Sequence, residues 1–187
     1  MANGRRNAVL ESIFDNLRLR PDGYEITSDS TPLAIHDNPY NCIAHAADDP
    51  IRWWQNAPSP HHEVYWPPVR SDGTLESLIE AFEWIGYRLS NDGAPRFGYE
   101  IVALYGTANP DGSHNWTHAS KRLRDGRWTS KCGYLHDIAH DRLDSVNCPA
   151  YGTAVRFMRR SWLRMAIRWL RMKIFGIRSQ SRWRLLR

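Results

Sequence analysis

The spacing of apolar positions divides the chain into a half that begins with helices and a half rich in strands. Residues 7–19 place Val9, Ile13 and Leu17, with Leu10 and Phe14, along one stripe. That spacing predicts a short helix, stopped by Pro21-Asp22-Gly23. Residues 24–40 read as loop or short strands. Asn38-Pro39-Tyr40-Asn41 favours a turn, and the Ala-rich run behind it predicts a helix opening near Cys42. Between 48 and 73, Trp53, Trp54, Tyr65 and Trp66 sit among Pro50, Pro58, Pro60, Pro67 and Pro68, too many prolines for regular structure. Residues 74–86 predict the clearest helix. Thr74 caps it, Leu75, Leu78, Ile79, Phe82 and Ile85 form its buried stripe, and Gly86 ends it.

The pattern then turns to sheet. Residues 99–105 and 116–123 read as strands, Asp125-Gly126 as a hairpin turn, and 127–132 as the returning strand. Residues 134–146 read as a short helix or an irregular return. From Val155 the spacing becomes helical again: Val155, Met158, Trp162, Met165, Trp169 and Met172 recur three and four apart. This predicts an amphipathic helix of about five turns. The order of elements predicts an α+β body over residues 1–153 and a cationic helix and basic tail over 154–187.

Charge sharpens that division. The 187 residues carry a formal charge of +5. From 156 to 187 there are ten Arg, one Lys and no acid, whereas 1–155 hold 14 basic and all 20 acidic residues, net −6. A mildly acidic body with a basic arm is the expectation. Arg156, Arg160, Arg164 and Arg168, with Trp162 and Trp169, are the candidates for docking on an anionic membrane surface or a partner protein. Packing of the apolar stripe on the body is the plainer reading. The large apolar residues make nucleic acid the less favoured partner. Three cysteines, Cys42, Cys132 and Cys148, do not make a disulfide framework, and no run of 18 apolar residues exists. With no secretory signal, these features suggest a cytoplasmic protein, held peripherally at a membrane if the tail binds lipid. The oligomeric state stays open, and no cofactor is expected.

Two short stretches carry candidate chemistry. Cys42 opens a helix, where unpaired N–H groups favour a thiolate. His118 lies on the first strand of the hairpin and can serve as base, with Ser130, Asp137 or His140 orienting its ring. A Cys opening a helix, followed by a His from a later sheet, is the order of papain-like thiol hydrolases, most closely the compact NlpC-type peptidases and amidases. The text Asn41-Cys42-Ile43-Ala44-His45-Ala46, Thr117-His118-Ala119, Asp125-Gly126-Arg127-Trp128-Thr129-Ser130-Lys131 and Asp137-Ile138-Ala139-His140 resembles an uncharacterised bacterial domain family. The resemblance covers about residues 38–160. That family brings no established function; the papain-like order implies a papain-like (NlpC-type) small domain with Cys42 as nucleophile and His118 as base, acting on amide or peptide bonds. A non-catalytic binding module for peptide, glycan, partner protein or anionic surface is the alternative. In either case Asn41, Trp53, Trp54 and Trp66 are the groove candidates, unless the aromatic cluster is simply packing. Cys132-x3-His136-x3-His140 would present three metal-capable groups on one face only if the segment were helical. That spacing matches no common zinc motif, so no metal site is expected.

Overall fold

The computed structural model describes residues 7–28 and 38–163. Its elements are helices α1 (Ala8–Ile13), α2 (Asp15–Leu19), α3 (Cys42–Ala46) and α4 (Leu75–Trp84), and strands β1 (Tyr24–Ile26), β2 (Trp53–Trp54), β3 (Val64–Tyr65), β4 (Arg88–Ser90), β5 (Tyr99–Ala108), β6 (His114–Arg122), β7 (Trp128–Lys131), β8 (Asp137–His140) and β9 (Thr153–Ser161). A 3-10 turn spans Leu143–Val146. Seven strands form one sheet in the order β1-β8-β7-β6-β5-β9-β4, every neighbour antiparallel. The short strands β2 and β3 pair in parallel beside it. The fold is mixed α/β with a mostly antiparallel sheet.

The sheet is covered on both faces, so its long inner strand β5 is buried on both. Val102 and Leu104 point into a core with Ile43, Ala44, Leu75, Leu78, Ala81 and Phe82 of α3 and α4. Ile101, Ala103 and Tyr105 point into a second core with Leu10, Phe14 and Leu17 of the first two helices. α4 forms as its sequence dictates: the Thr74 hydroxyl accepts from the Ser77 N–H at 3.3 Å, and Gly86 at φ +100° lets the chain turn out of the helix. The Asp125-Gly126 hairpin closes with the Leu123 N–H donating to the Arg127 carbonyl.

Three expectations need correction. The stretch 7–19 is two short helices broken at Phe14, whose φ of −115° and ψ of 96° are extended. The buried stripe is Leu10-Phe14-Leu17, while Val9 and Ile13 face solvent. The segment after Cys132 is not helical: residues 137–140 are strand β8, facing β7 across a tight return. Cys132, His136 and His140 therefore share no helix face, and no group of three metal-capable side chains forms among the described residues. The helix expected from Val155 is instead β9 as far as Ser161, inserted between β5 and β4. The sheet therefore runs past the boundary set at residue 153. Arg164, Arg168 and Trp169 lie outside the described residues. Among the described residues, no helix is long and apolar enough to cross a membrane.

The misreading of β9 has a physical source. Arg156 pairs with Leu104 and Ala154 with Tyr105, so Val155 is an extra, unpaired residue. Such a bulge breaks period-two alternation. Val155 and Met158 then both pack on the α3/α4 core at a spacing of three, which imitates a helix.

Candidate functional site

Asn41 fixes where α3 begins. Its side-chain carbonyl accepts from the Ala44 N–H at 3.1 Å, and its amide donates to the Trp54 carbonyl at 2.5 Å. Asn41 thus caps α3 and still borders the cleft beside Cys42. Cys42 follows as the first helical residue and lines an open cleft of about 400 Å³. Trp53, Gln55 and Asn56 form one wall; Trp116, Tyr134 and Tyr151 contribute the others. Trp53 stacks with His62, 3.8 Å away and nearly parallel, and with Tyr134 at 5.6 Å.

The expectation of an activated thiolate is not met. Backbone N–H groups of Ala119, Ile43 and Cys42 itself favour the anion, and Lys131 adds a smaller pull. Burial outweighs all of them and pushes the thiol up to about 11. A five-residue helix supplies little dipole against that desolvation. At neutral pH Cys42 is a thiol.

His118 lies fully buried on β6, its ring stacked on Tyr151 at 4.1 Å and met edge-on by Tyr105 at 5.1 Å. No hydrogen bond joins it to Cys42. Its Nε2 is 3.1 Å from Ser130 Oγ, and Ser130 Oγ is 2.9 Å from His140 Nε2. The protons in this chain can be assigned from its fixed end. His140 Nδ1 lies 2.7 Å from the Arg142 carbonyl, which only accepts, so Nδ1 carries the hydrogen. Burial holds His140 down to about 4, so it is neutral and its Nε2 is a bare acceptor. The Ser130 hydroxyl must then donate to His140, and its oxygen must accept from His118 Nε2–H. That assignment leaves His118 Nδ1 with a lone pair and no hydrogen-bond partner among the described residues. Burial, followed by the His140 and His45 rings, keeps His118 well below the usual imidazole range. Ser120 joins laterally, 2.7 Å from Ser130, and Tyr105 continues from Ser120 to the Leu143 carbonyl.

Of the three candidates for orienting the ring, Ser130 touches His118 and His140 acts through Ser130. Asp137 does neither. It accepts from the Tyr40 hydroxyl at 2.6 Å and lies 3.6 Å from Lys131 Nζ and 3.7 Å from His45 Nδ1. His45, three residues after Cys42, also reaches Thr129 at 3.0 Å. This second cluster ties α3 to β7 and β8.

The aromatic candidates divide in the same way. Trp53 lines the cleft. Trp54 is buried, its Nε1 donating to Asp49 at 2.7 Å, so it contacts no ligand. Trp66 stands behind Trp116, stacked at 5.7 Å, with Nε1 donating to the Arg70 carbonyl. Sequence reasoning missed Trp116, Tyr134 and Tyr151. Tyr151 had one usable signal, the glycine that follows it. Gly152 has φ +64°, and a Cβ there would collide with the Gly106 carbonyl. Only glycine permits this approach, which sets Tyr151 over His118. Among the docking candidates, Arg160 is not a surface cation. It is buried, bonded to Glu100 at 2.6 Å and Asp48 at 3.2 Å, and lies over the Tyr87 ring. Arg156 is exposed on β9, and Trp162 packs edge-on to Phe97 at 6.2 Å.

No curated protein and no solved structure matches the chain. Residues 31–159 match the family described as a domain of unknown function, DUF7689, and the chain belongs to that family.

Proposed function

We propose that the domain is a cysteine hydrolase of amide, peptide or related acyl bonds, with Cys42 as nucleophile and His118 as general base. The observation that carries this reading is the proton assignment of the buried relay. Anchoring Nε2 through Ser130 and His140 leaves Nδ1 of His118 unprotonated and unpartnered under Tyr151, and Tyr151 shares a cleft with Cys42. A neutral thiol and a neutral imidazole are the protonation states from which a general-base mechanism starts. Binding of substrate must first bring Cys42 Sγ within hydrogen-bond reach of His118 Nδ1, and as Sγ attacks an acyl carbon its proton passes to that nitrogen. His118 then returns the proton to the leaving amine or alcohol, and a water hydrolyses the thioester. The Ser130 hydroxyl fixes the tautomer and the ring, a positioning role. The resting state differs from a preformed thiolate–imidazolium pair, because burial disfavours both charges.

The second reading is a binding module whose aromatic walls take a peptide or glycan. The raised thiol and the lack of a Cys42–His118 hydrogen bond favour it. Incubation with p-nitrophenyl acetate and peptide mapping by mass spectrometry separates the two. The hydrolase reading expects an acetyl group on Cys42 and at least tenfold slower acylation in His118→Gln. Equal acylation of Cys42 in both proteins would leave only the binding module.

A further inference from the structure

A second, larger cleft of about 660 Å³ opens where β5 begins and β6 ends. Its walls carry aromatic and cationic side chains. Phe97 is 98% exposed at the rim, and Trp162 stands edge-on to it. The Trp162 backbone N–H donates to the Gly98 carbonyl at 3.0 Å, which holds this stretch of chain beside Phe97.

The cations fall into two groups. Lys121 is bound to Asp48 at 2.5 Å, and Arg122 donates to the Gly93 carbonyl while its guanidinium covers Trp128. Glu100, the single acid of the lining, is neutralised by Arg160. Arg96 and Arg124 have no carboxylate partner among the described residues, and Arg124 lies 5.0 Å from the Trp162 ring centre. Nearby Arg159, over the Tyr99 ring, is likewise unpaired with any acid. An exposed ring face beside uncompensated guanidinium groups fits a ligand with a flat ring and a phosphate. The volume lies within the range of small-ligand sites, roughly 300–1,000 Å³. A lipid surface would instead require these rings on a convex face.

We infer that this cleft binds a nucleotide unit, the base stacking on Phe97 and the phosphate meeting Arg96 and Arg124. The unit can be a free nucleoside phosphate or part of a single strand. In sequence, residues 164–187 add seven Arg, one Lys and no acid, a charge that favours a polyanion. This site is independent of the Cys42 reading.

The test uses the full chain and fluorescence anisotropy of a labelled oligothymidylate, with AMP, inorganic phosphate and phosphatidylserine vesicles as competitors. Phe97→Ala is the diagnostic variant, because so exposed a ring contributes little to the fold. The expected result is binding that weakens about tenfold in Phe97→Ala. Arg124→Ala should also flatten the log–log salt dependence by about 0.7. Displacement by AMP but not by phosphate identifies the free nucleotide; binding of the oligonucleotide alone, with AMP ineffective, identifies the strand. Unchanged binding in Phe97→Ala would overturn the inference, leaving only the basic tail at work. Displacement by phosphate as effective as by AMP, or Phe97-dependent binding of vesicles alone, would overturn it equally.

Discussion

Replacing Ser130 by alanine tests the buried relay most directly. Ser130 is fully buried, and its hydroxyl contacts His118 at 3.1 Å, His140 at 2.9 Å and Ser120 at 2.7 Å. Removing it leaves His118 with neither nitrogen bonded, since Nδ1 already has no partner. His140 keeps only its bond to the Arg142 carbonyl. Two buried polar groups lose their partners, at roughly 1–3 kcal/mol each, so the variant should be about 3 kcal/mol less stable. Ser120→Ala is the matched comparison. Tyr105 keeps its bond to the Leu143 carbonyl there, so the loss should be about 1 kcal/mol. Urea unfolding followed by tryptophan fluorescence reads both, and the Ser130 variant should shift its midpoint by about 1–2 M. Equal losses in the two variants would refute the assignment of Ser130 as the junction. The same substitution frees the His118 tautomer, so it should slow Cys42 acylation more than Ser120→Ala does.

Three further outcomes follow from other contacts. His140 is held down to about 4 against 6.5 for a free imidazole, so between those values the unfolded chain binds more protons. Stability is therefore full above about pH 6.5 and falls by roughly 3 kcal/mol as the pH drops to about 4, with His118 shifting in the same direction. A flat stability profile across that window, in denaturation series at each pH, would contradict the buried neutral state. Arg160→Ala strands Glu100 with Lys121 at 3.5 Å and should cost about 3–5 kcal/mol, whereas exposed Arg156→Ala should cost under about 0.5. Similar melting temperatures for these two would show that Arg160 is not the buried ion-pair centre. Gly152→Ala places a side chain against the Gly106 carbonyl at a left-handed φ and should cost at least about 2 kcal/mol, while exposed Gly112→Ala, with open space around it, costs only its own φ strain of about 1.

Much of the fold was readable because local and long-range preferences agree. At α4, cap, apolar stripe and terminating glycine all specify the same helix, and the Asp125-Gly126 turn sets the β6–β7 pairing. At the helix bearing Cys42, Asn41 gave the same agreement. Reading failed where one residue breaks the period. The bulge at Val155 made a strand resemble a helix, and Arg160 looked solvent-facing because its acid partners, Asp48 and Glu100, are 112 and 60 residues away. The site shows the same limit. Cys42, His118 and Ser130 could be nominated from order, but the burial that raises the thiol depends on packing from separate parts of the chain. Asp137 could not be told from Ser130 without knowing which side of the sheet each faces.

The position of β9 also bears on how the protein is made. Among the described residues it is the last strand in sequence, yet it lies inside the sheet, joining β5 to β4. While the ribosome is still adding residues 153–161, β5, the longest and most apolar strand, has an unfilled edge. β4 has no neighbour to pair with until β9 emerges. The nascent domain therefore stays open to mispairing with other chains until β9 has been released, and any truncation before Ser161 makes that vulnerable state permanent.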